Sequence, residues 1–254
     1  MKKAMLFSAL ALAPSAFVFA QNADTSPTLA ILAARLNDDE SRLADWPLFS
    51  RYREENGRLA APKPGETRVV FMGDSITDFW GLGDDHGTFF PGKAYVNRGI
   101  RGQTTAQMLV RFRADVIALK PKVVVIHAGT NDIAGNTGPA TQGMIEDNLA
   151  SMSELAEANG IKVVIASVLP INTLIDEHAA DARPPQRIRD LNAWLRAYAQ
   201  RKGYVYLDYY AAMVDDKGAL KEKLTYDGLH PNTSGYDIMS PLAQRAIEQA
   251  LAQK

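Results

Sequence analysis

Ser75 lies in Gly73-Asp74-Ser75-Ile76-Thr77, directly after the apolar run Val69-Val70-Phe71-Met72. A small residue then a serine at the carboxyl end of a strand puts a hydroxyl on a tight turn, where open α/β sheets bind ligands. Glycine at that point tolerates a sharp backbone path. Taken alone, the block reads equally well as a nucleophile or as a Ser/Asp helix cap. Asp227-Gly228-Leu229-His230, far downstream, tips the balance towards a nucleophile. A serine hydroxyl attacks weakly until a base accepts its proton, and histidine suits that task near neutral pH. Asp227, three residues before His230, is close enough to orient the ring and stabilise the imidazolium. Gly102 can bring a backbone N–H close to a ligand, and Asn131 offers an amide donor. With the Ser75 N–H they make three donors for a developing oxyanion. Gly99 competes with Gly102 for that role.

These residues converge only if the chain supplies a scaffold. Short apolar, β-branched runs at 67–72, 94–97, 122–127, 161–168 and 204–207 read as strands. Helical patterns cover 104–119, 139–159 and 184–202, with a last helix over 234–253. Runs such as Val123-Val124-Val125-Ile126 suit strands covered on both faces. The alternation predicts an α/β protein, a three-layer α/β/α sandwich around a five-stranded parallel sheet. In such a sheet Ser75, the 97–105 block and the 128–132 block all leave strand carboxyl ends on one edge. The 227–232 block must fold over that edge from the C-terminal side. The long connection at 168–183 is the irregular piece, of the kind that shapes binding sites.

Ahead of the first strand, 29–36 and 46–56 read as two helices, the second bringing Trp46, Leu48, Phe49 and Tyr52 for packing, and the Pro-containing stretch 60–65 as a linker. Lys2-Lys3, the almost wholly apolar stretch 4–13 and Val18-Phe19-Ala20 have the form of a secretory signal peptide cleaved after Ala20. The expected organisation is therefore a signal peptide at 1–20, a helical extension and linker at 21–65, and at 66–254 an α/β domain that carries all four blocks. Pro14-Ser15 breaks the leader too early for a transmembrane anchor. Loss of Lys2 and Lys3 takes the net charge from −1 to −3, and no basic block is interleaved with aromatics, so nucleic acid is not an expected partner. The chain has no cysteine, which excludes a thiol nucleophile, a thiolate metal site, disulfides and a lipid anchor on an N-terminal cysteine. The expected product is a soluble exported protein, periplasmic or secreted.

The four blocks, in this order, resemble the SGNH subgroup of the GDSL hydrolases. The nucleophile block corresponds to Gly73 through Thr77, with isoleucine and threonine where the eponymous motif begins with leucine. The second block corresponds to Asn97-Arg98-Gly99-Ile100-Arg101-Gly102-Gln103-Thr104-Thr105, whose oxyanion glycine aligns with Gly102; Gln103 stands where many relatives have aspartate. Gly129-Thr130-Asn131-Asp132 and Asp227-Gly228-Leu229-His230 complete the set. The resemblance covers about residue 67 to the end of the chain. It implies the flavodoxin-like SGNH hydrolase fold and ester hydrolysis through an acyl-serine, without metal or organic cofactor. Ser75, Asp227 and His230 would be the catalytic triad; Ser75, Gly102 and Asn131 would be the oxyanion hole.

Other polar residues have structural readings. Asp74 and Asp132 suit holding loops by hydrogen bonds to backbone, although Asp74, Gly99 and Trp80 also stand as candidate substrate contacts. Trp80 could wall a pocket or pack in the core, and Phe79 better suits the core. Arg98 and Arg101 suit solvated or paired positions, or contact with an acidic or sugar substrate. His127 reads as a buried core histidine, His178 as a loop residue, and His86 in Gly83-Asp84-Asp85-His86 lacks the second ligand cluster a metal site needs. The leading functional expectation is a serine esterase acting on short acyl groups, above all acetyl on carbohydrate. A lysophospholipase or acyl thioesterase would need an apolar channel built by the 79–90 and 168–175 loops. A non-catalytic carbohydrate-binding relative is the remaining alternative.

Overall fold

The computed structural model describes residues 27–174 and 176–253. The signal peptide expected at 1–20 lies outside them. Helix α1 (Pro27–Ala44) is a unit by itself, and the second unit starts at Asp45. Helix α2 (Ser50–Arg58) belongs to that second unit, whose strands are β1 (Val69–Gly73), β2 (Tyr95–Gly99), β3 (Val123–His127), β4 (Lys162–Ala166) and β5 (Val205–Leu207). The long helices are α4 (Thr105–Asp115), α6 (Gln142–Ala158), α8 (Pro185–Lys202) and α10 (Thr233–Ala252). Short turns of helix form α3 (Ser75–Asp78), α5 (Thr130–Ile133), α7 (Ala179–Ala182) and α9 (Tyr209–Met213).

All strands are parallel, in the order β2-β1-β3-β4-β5. Alternation along β1 divides the core between the two faces of the sheet. Val70 and Met72 join Met108, Phe112, Leu149 and Leu195 under α4, α6 and α8. Val69 and Phe71 face the other way, onto Tyr236, Met239 and Ile247 of α10. The architecture is the expected three-layer α/β/α sandwich.

Register decides where the loops emerge. Gly73 pairs with Gly99 on one side and with His127 on the other, so β1, β2 and β3 end level. The loops carrying Ser75, Gly102 and Asn131 therefore leave the sheet side by side. Helix α2 braces this edge: Tyr52 donates its hydroxyl hydrogen to the Gly99 carbonyl, and Asn56 accepts from Arg98 Nε at 2.9 Å. Trp46, Leu48 and Phe49, expected to pack, stay more than a third exposed, and only Tyr52 of that group is buried. Asp45 holds the turn ahead of the helix, its carboxylate accepting from the N–H groups of Phe49 and Ser50.

Candidate active site

Gly73 meets a packing demand. It is not in the left-handed region; a Cβ there would lie 2.1 Å from Thr77 Oγ1 and 2.9 Å from the His127 carbonyl. The glycine lets α3 start hard against β3. Asp74 caps that turn, accepting from Ile76 N at 3.0 Å. It is 1% exposed and holds the loop through backbone, the structural role also expected of it. Burial raises its pKa to about 6, against the opposing hydrogen bond from Ile76. Tyr236 of α10 ties the same turn by donating to the Ile76 carbonyl at 2.8 Å.

The downstream block folds on itself. Thr225 Oγ1 accepts from the N–H groups of Asp227 and Gly228 and donates to the His230 carbonyl at 2.7 Å. Asp227 Oδ1 accepts from Leu229 N and His230 N at 2.9 and 2.7 Å. Gly228 has φ +91° and presses against Asn172, whose N–H donates to the Gly228 carbonyl at 2.8 Å; a side chain at 228 would collide with that residue. Asn232 then caps α10 through Gly235 N. This self-bonded loop lays the His230 ring over the sheet edge.

There His230 Nε2 is 2.9 Å from Ser75 Oγ, and His230 Nδ1 is 2.6 Å from Asp227 Oδ2. Partial burial pushes the Asp227 carboxyl up, but the His230 side chain and the two backbone donors outweigh it and hold it at about 2. It is therefore a carboxylate at neutral pH and can only accept. The proton sits on Nδ1, and Nε2 is left to accept from the Ser75 hydroxyl. The arrangement can take a proton from Ser75 and stabilise the charge that results.

Gly102 and Gly99 part company here. Gly102 is exposed, has φ +76° with only Asn136 Nδ2, at 3.9 Å, near where a Cβ would stand, and its N–H has no partner among the described residues. Gly99 is buried, its N–H donates to Asn97 Oδ1 at 2.9 Å, and its Cβ would sit 2.1 Å from Asp78 N. It is a close-approach glycine, which corrects its candidacy as a substrate or oxyanion contact. Asn131 is buried with Nδ2 donating to the Gln103 carbonyl at 3.0 Å. Asp132 holds the neighbouring loop by accepting from Thr105 N and Oγ1. Burial raises its pKa, and the Thr105 donors oppose that.

The adjacent aromatics exchange the expected places. Trp80, 4% exposed, packs among Phe71, Phe90 and Tyr236 in the core, so it does not wall a pocket. Phe79 points outward, its ring 5.1 Å from that of His230. Tyr226 stacks on His230 at 5.9 Å and 13°. Phe79, Tyr226, Leu82 and His86 line a cavity of about 750 Å³ beside the histidine. Tyr226 also borders a second cavity of about 780 Å³ with Leu174, Lys221 and Gly228. His86 is thus part of an aromatic wall; among the described residues no three acidic or histidine side chains converge as for a metal.

Arg98 is buried on Tyr52 and Asn97, whereas Arg101 is exposed over Phe79 and paired with Asp78. His127 is buried with its pKa lowered to about 4 by desolvation, and His178 is exposed beside Asp181. Tyr226 and Arg183 are at the site without having been singled out in sequence. Tyr226 directly precedes Asp227, and Arg183 closes the irregular connection, so position was the available signal.

Residues 71–238 match the GDSL-like lipase/acylhydrolase family. A solved GDSL-like lipase from Bacteroides thetaiotaomicron is 47% identical, covering 80% of this chain and 98% of that one, with a TM-score of 0.74. Esterase TesA of Pseudomonas aeruginosa is 29% identical over 64% of this chain and 79% of its own length. Human platelet-activating factor acetylhydrolase IB subunit alpha1 is 27% identical over 77% and 81%. With its level strand ends, its turn-borne serine and a family match over most of its length, the chain belongs to the GDSL-like lipase/acylhydrolase family and is a hydrolase of ester bonds.

Proposed function

We propose that the protein is a serine esterase that removes short acyl groups, acetyl foremost, from carbohydrate esters. The observation that carries this reading is the unbroken line of hydrogen bonds from Ser75 Oγ through His230 to Asp227. Ser75 Oγ attacks the ester carbonyl as its proton passes to His230 Nε2, and the Asp227 carboxylate stabilises the imidazolium. The tetrahedral oxyanion is held by the N–H groups of Ser75 and Gly102 and by the Asn131 amide, each worth about 2.7–4 kcal/mol in the transition state. His230 returns the proton to the leaving alcohol, then activates water to release the acid from Ser75.

The preference for a short acyl group has its support in the core. Val168, Leu169 and Ile171, which a long-chain acyl channel would need from their loop, are buried among core residues, as are Trp80 and Phe90. The carbohydrate half of the reading has its support in the cavity beside His230: Phe79, His86 and Tyr226 offer ring faces of the kind on which a sugar can lie. The leader at 1–20 would export the enzyme to where such esters occur.

A fluorophosphonate probe should label the wild-type protein and fail on Ser75→Ala. Across p-nitrophenyl esters, kcat/KM should peak at acetyl and fall by butyryl. Labelling that survives in Ser75→Ala rejects the nucleophile; a maximum at eight or more carbons rejects the short-acyl assignment.

A further inference from the structure

The irregular connection between β4 and α8 brings a guanidinium to the end of β3. Arg183 Nε donates to Thr130 Oγ1 at 3.1 Å, and its Nη2 donates to Asn131 Oδ1 at 3.3 Å. Burial lowers the Arg183 pKa, and the carboxylates of Asp74 and Asp227 oppose that; the cation therefore sits in the field of both.

These bonds define the Asn131 amide completely. Arginine can only donate and the Gln103 carbonyl can only accept, so the oxygen must face Arg183 and the nitrogen must face Gln103. One of the two amide hydrogens goes to Gln103. The other has no partner among the described residues, and its direction follows from the plane the first two bonds impose. A cation on the carbonyl oxygen also draws electron density through the amide and strengthens the N–H as a donor.

We propose that Arg183 is a positioning residue that clamps and polarises the Asn131 amide from behind, so that its remaining N–H is set for the tetrahedral intermediate before substrate arrives. This rests on the esterase reading with Asn131 as an oxyanion donor. Acting through Asn131, Arg183 contributes to kcat and has no claim on KM. Lysine in its place could reach one acceptor, not bridge Thr130 and Asn131 together.

The test is a double-mutant cycle on the full chain with p-nitrophenyl acetate. Asn131→Ala should lower kcat on the order of 10²–10³-fold. Arg183→Ala should lower it on the order of 10-fold to 10²-fold with KM held within about threefold, and Arg183→Lys should recover only part of that loss. The combined variant should be no slower than Asn131→Ala alone, because the clamp has nothing left to hold. Melting curves check folding; should Arg183→Ala not fold, Arg183→Lys and Arg183→Met take its place in the cycle. Losses that multiply in the double variant, or an effect confined to KM, overturn the proposal by making Arg183 a separate binding group. Turnover retained in Ser75→Ala would strike the esterase site itself, whereas an inactive Ser75→Ala beside a fully active Arg183→Ala removes only the clamp.

Discussion

An alanine at 99 would set its Cβ 2.1 Å from Asp78 N and 2.6 Å from the Thr77 carbonyl carbon, backbone atoms that cannot yield. Gly99→Ala is therefore expected to cost several kcal/mol, about 3 or more. An alanine at 102 meets nothing closer than 3.9 Å and suffers only its left-handed backbone, about 1–2 kcal/mol. Thermal melts of the two variants should differ by roughly 2 °C or more; equal melting points would mean that the two glycines do the same work. Phe79 and Trp80 show where residue-level reading runs out. Neighbours on a helical turn point in different directions, and composition does not say which faces inward. The aromatic cluster of Phe71, Phe90 and Tyr236 takes Trp80, so the cleft receives Phe79.

At the scale of elements, Gln103 joins three pieces of chain. Its Nε2 donates to the Pro47 carbonyl, its Oε1 accepts from Arg111 Nε, and its own carbonyl accepts from Asn131. Gln103→Ala leaves a buried arginine N–H and the Pro47 carbonyl without these partners, a loss on the order of 2 kcal/mol with a matching fall in denaturation midpoint. It should also lower kcat more than KM changes, because the carbonyl that steers Asn131 loses its anchor; unchanged kcat would detach Gln103 from the site. The strands were legible in sequence to within two residues at each end, because unbroken β-branched runs such as Val123 to Ile126 have few other uses. The four-residue turns α3, α5 and α7 were not legible, since one helical turn leaves no periodicity to read. The convergence of the 73–77, 97–105 and 128–132 blocks followed from strand polarity alone. The contributions of Arg183 and Tyr226 did not, because a loop's path depends on its packing and not on its pattern.

Across the whole molecule two buried groups set opposite responses to pH. Asp74 titrates at about 6 in the fold against 3.8 in the open chain. Between those values the unfolded chain has released a proton that the native protein keeps, so this group's contribution falls as pH rises from about 4 to 6. His127 titrates at about 4 against 6.5. There the unfolded chain gains a proton that the fold refuses, so its contribution falls as pH drops from about 6.5 to 4. Each is worth at most about 3 kcal/mol. Asp74→Asn should thus gain melting temperature relative to wild type more at pH 7 than at pH 4, and His127→Gln the reverse. An offset independent of pH in either variant would contradict the corresponding burial argument.

The distribution of the site along the chain has a practical outcome. Ser75, Gly102 and Asn131 precede β4, whereas Asp227 and His230 follow β5, beyond an exposed turn at Asp216 and Lys217 closed by the Val214–Leu220 bridge. A cut in that turn would yield one piece with every strand and the nucleophile, and another with the proton acceptor and α10. Tyr236, Met239 and Ile247 supply the apolar face by which the second piece would rejoin the first. Neither fragment would hydrolyse an ester alone, and their reassembly would switch hydrolysis on. The enzyme would then serve as a two-part reporter of any interaction that brings its halves together.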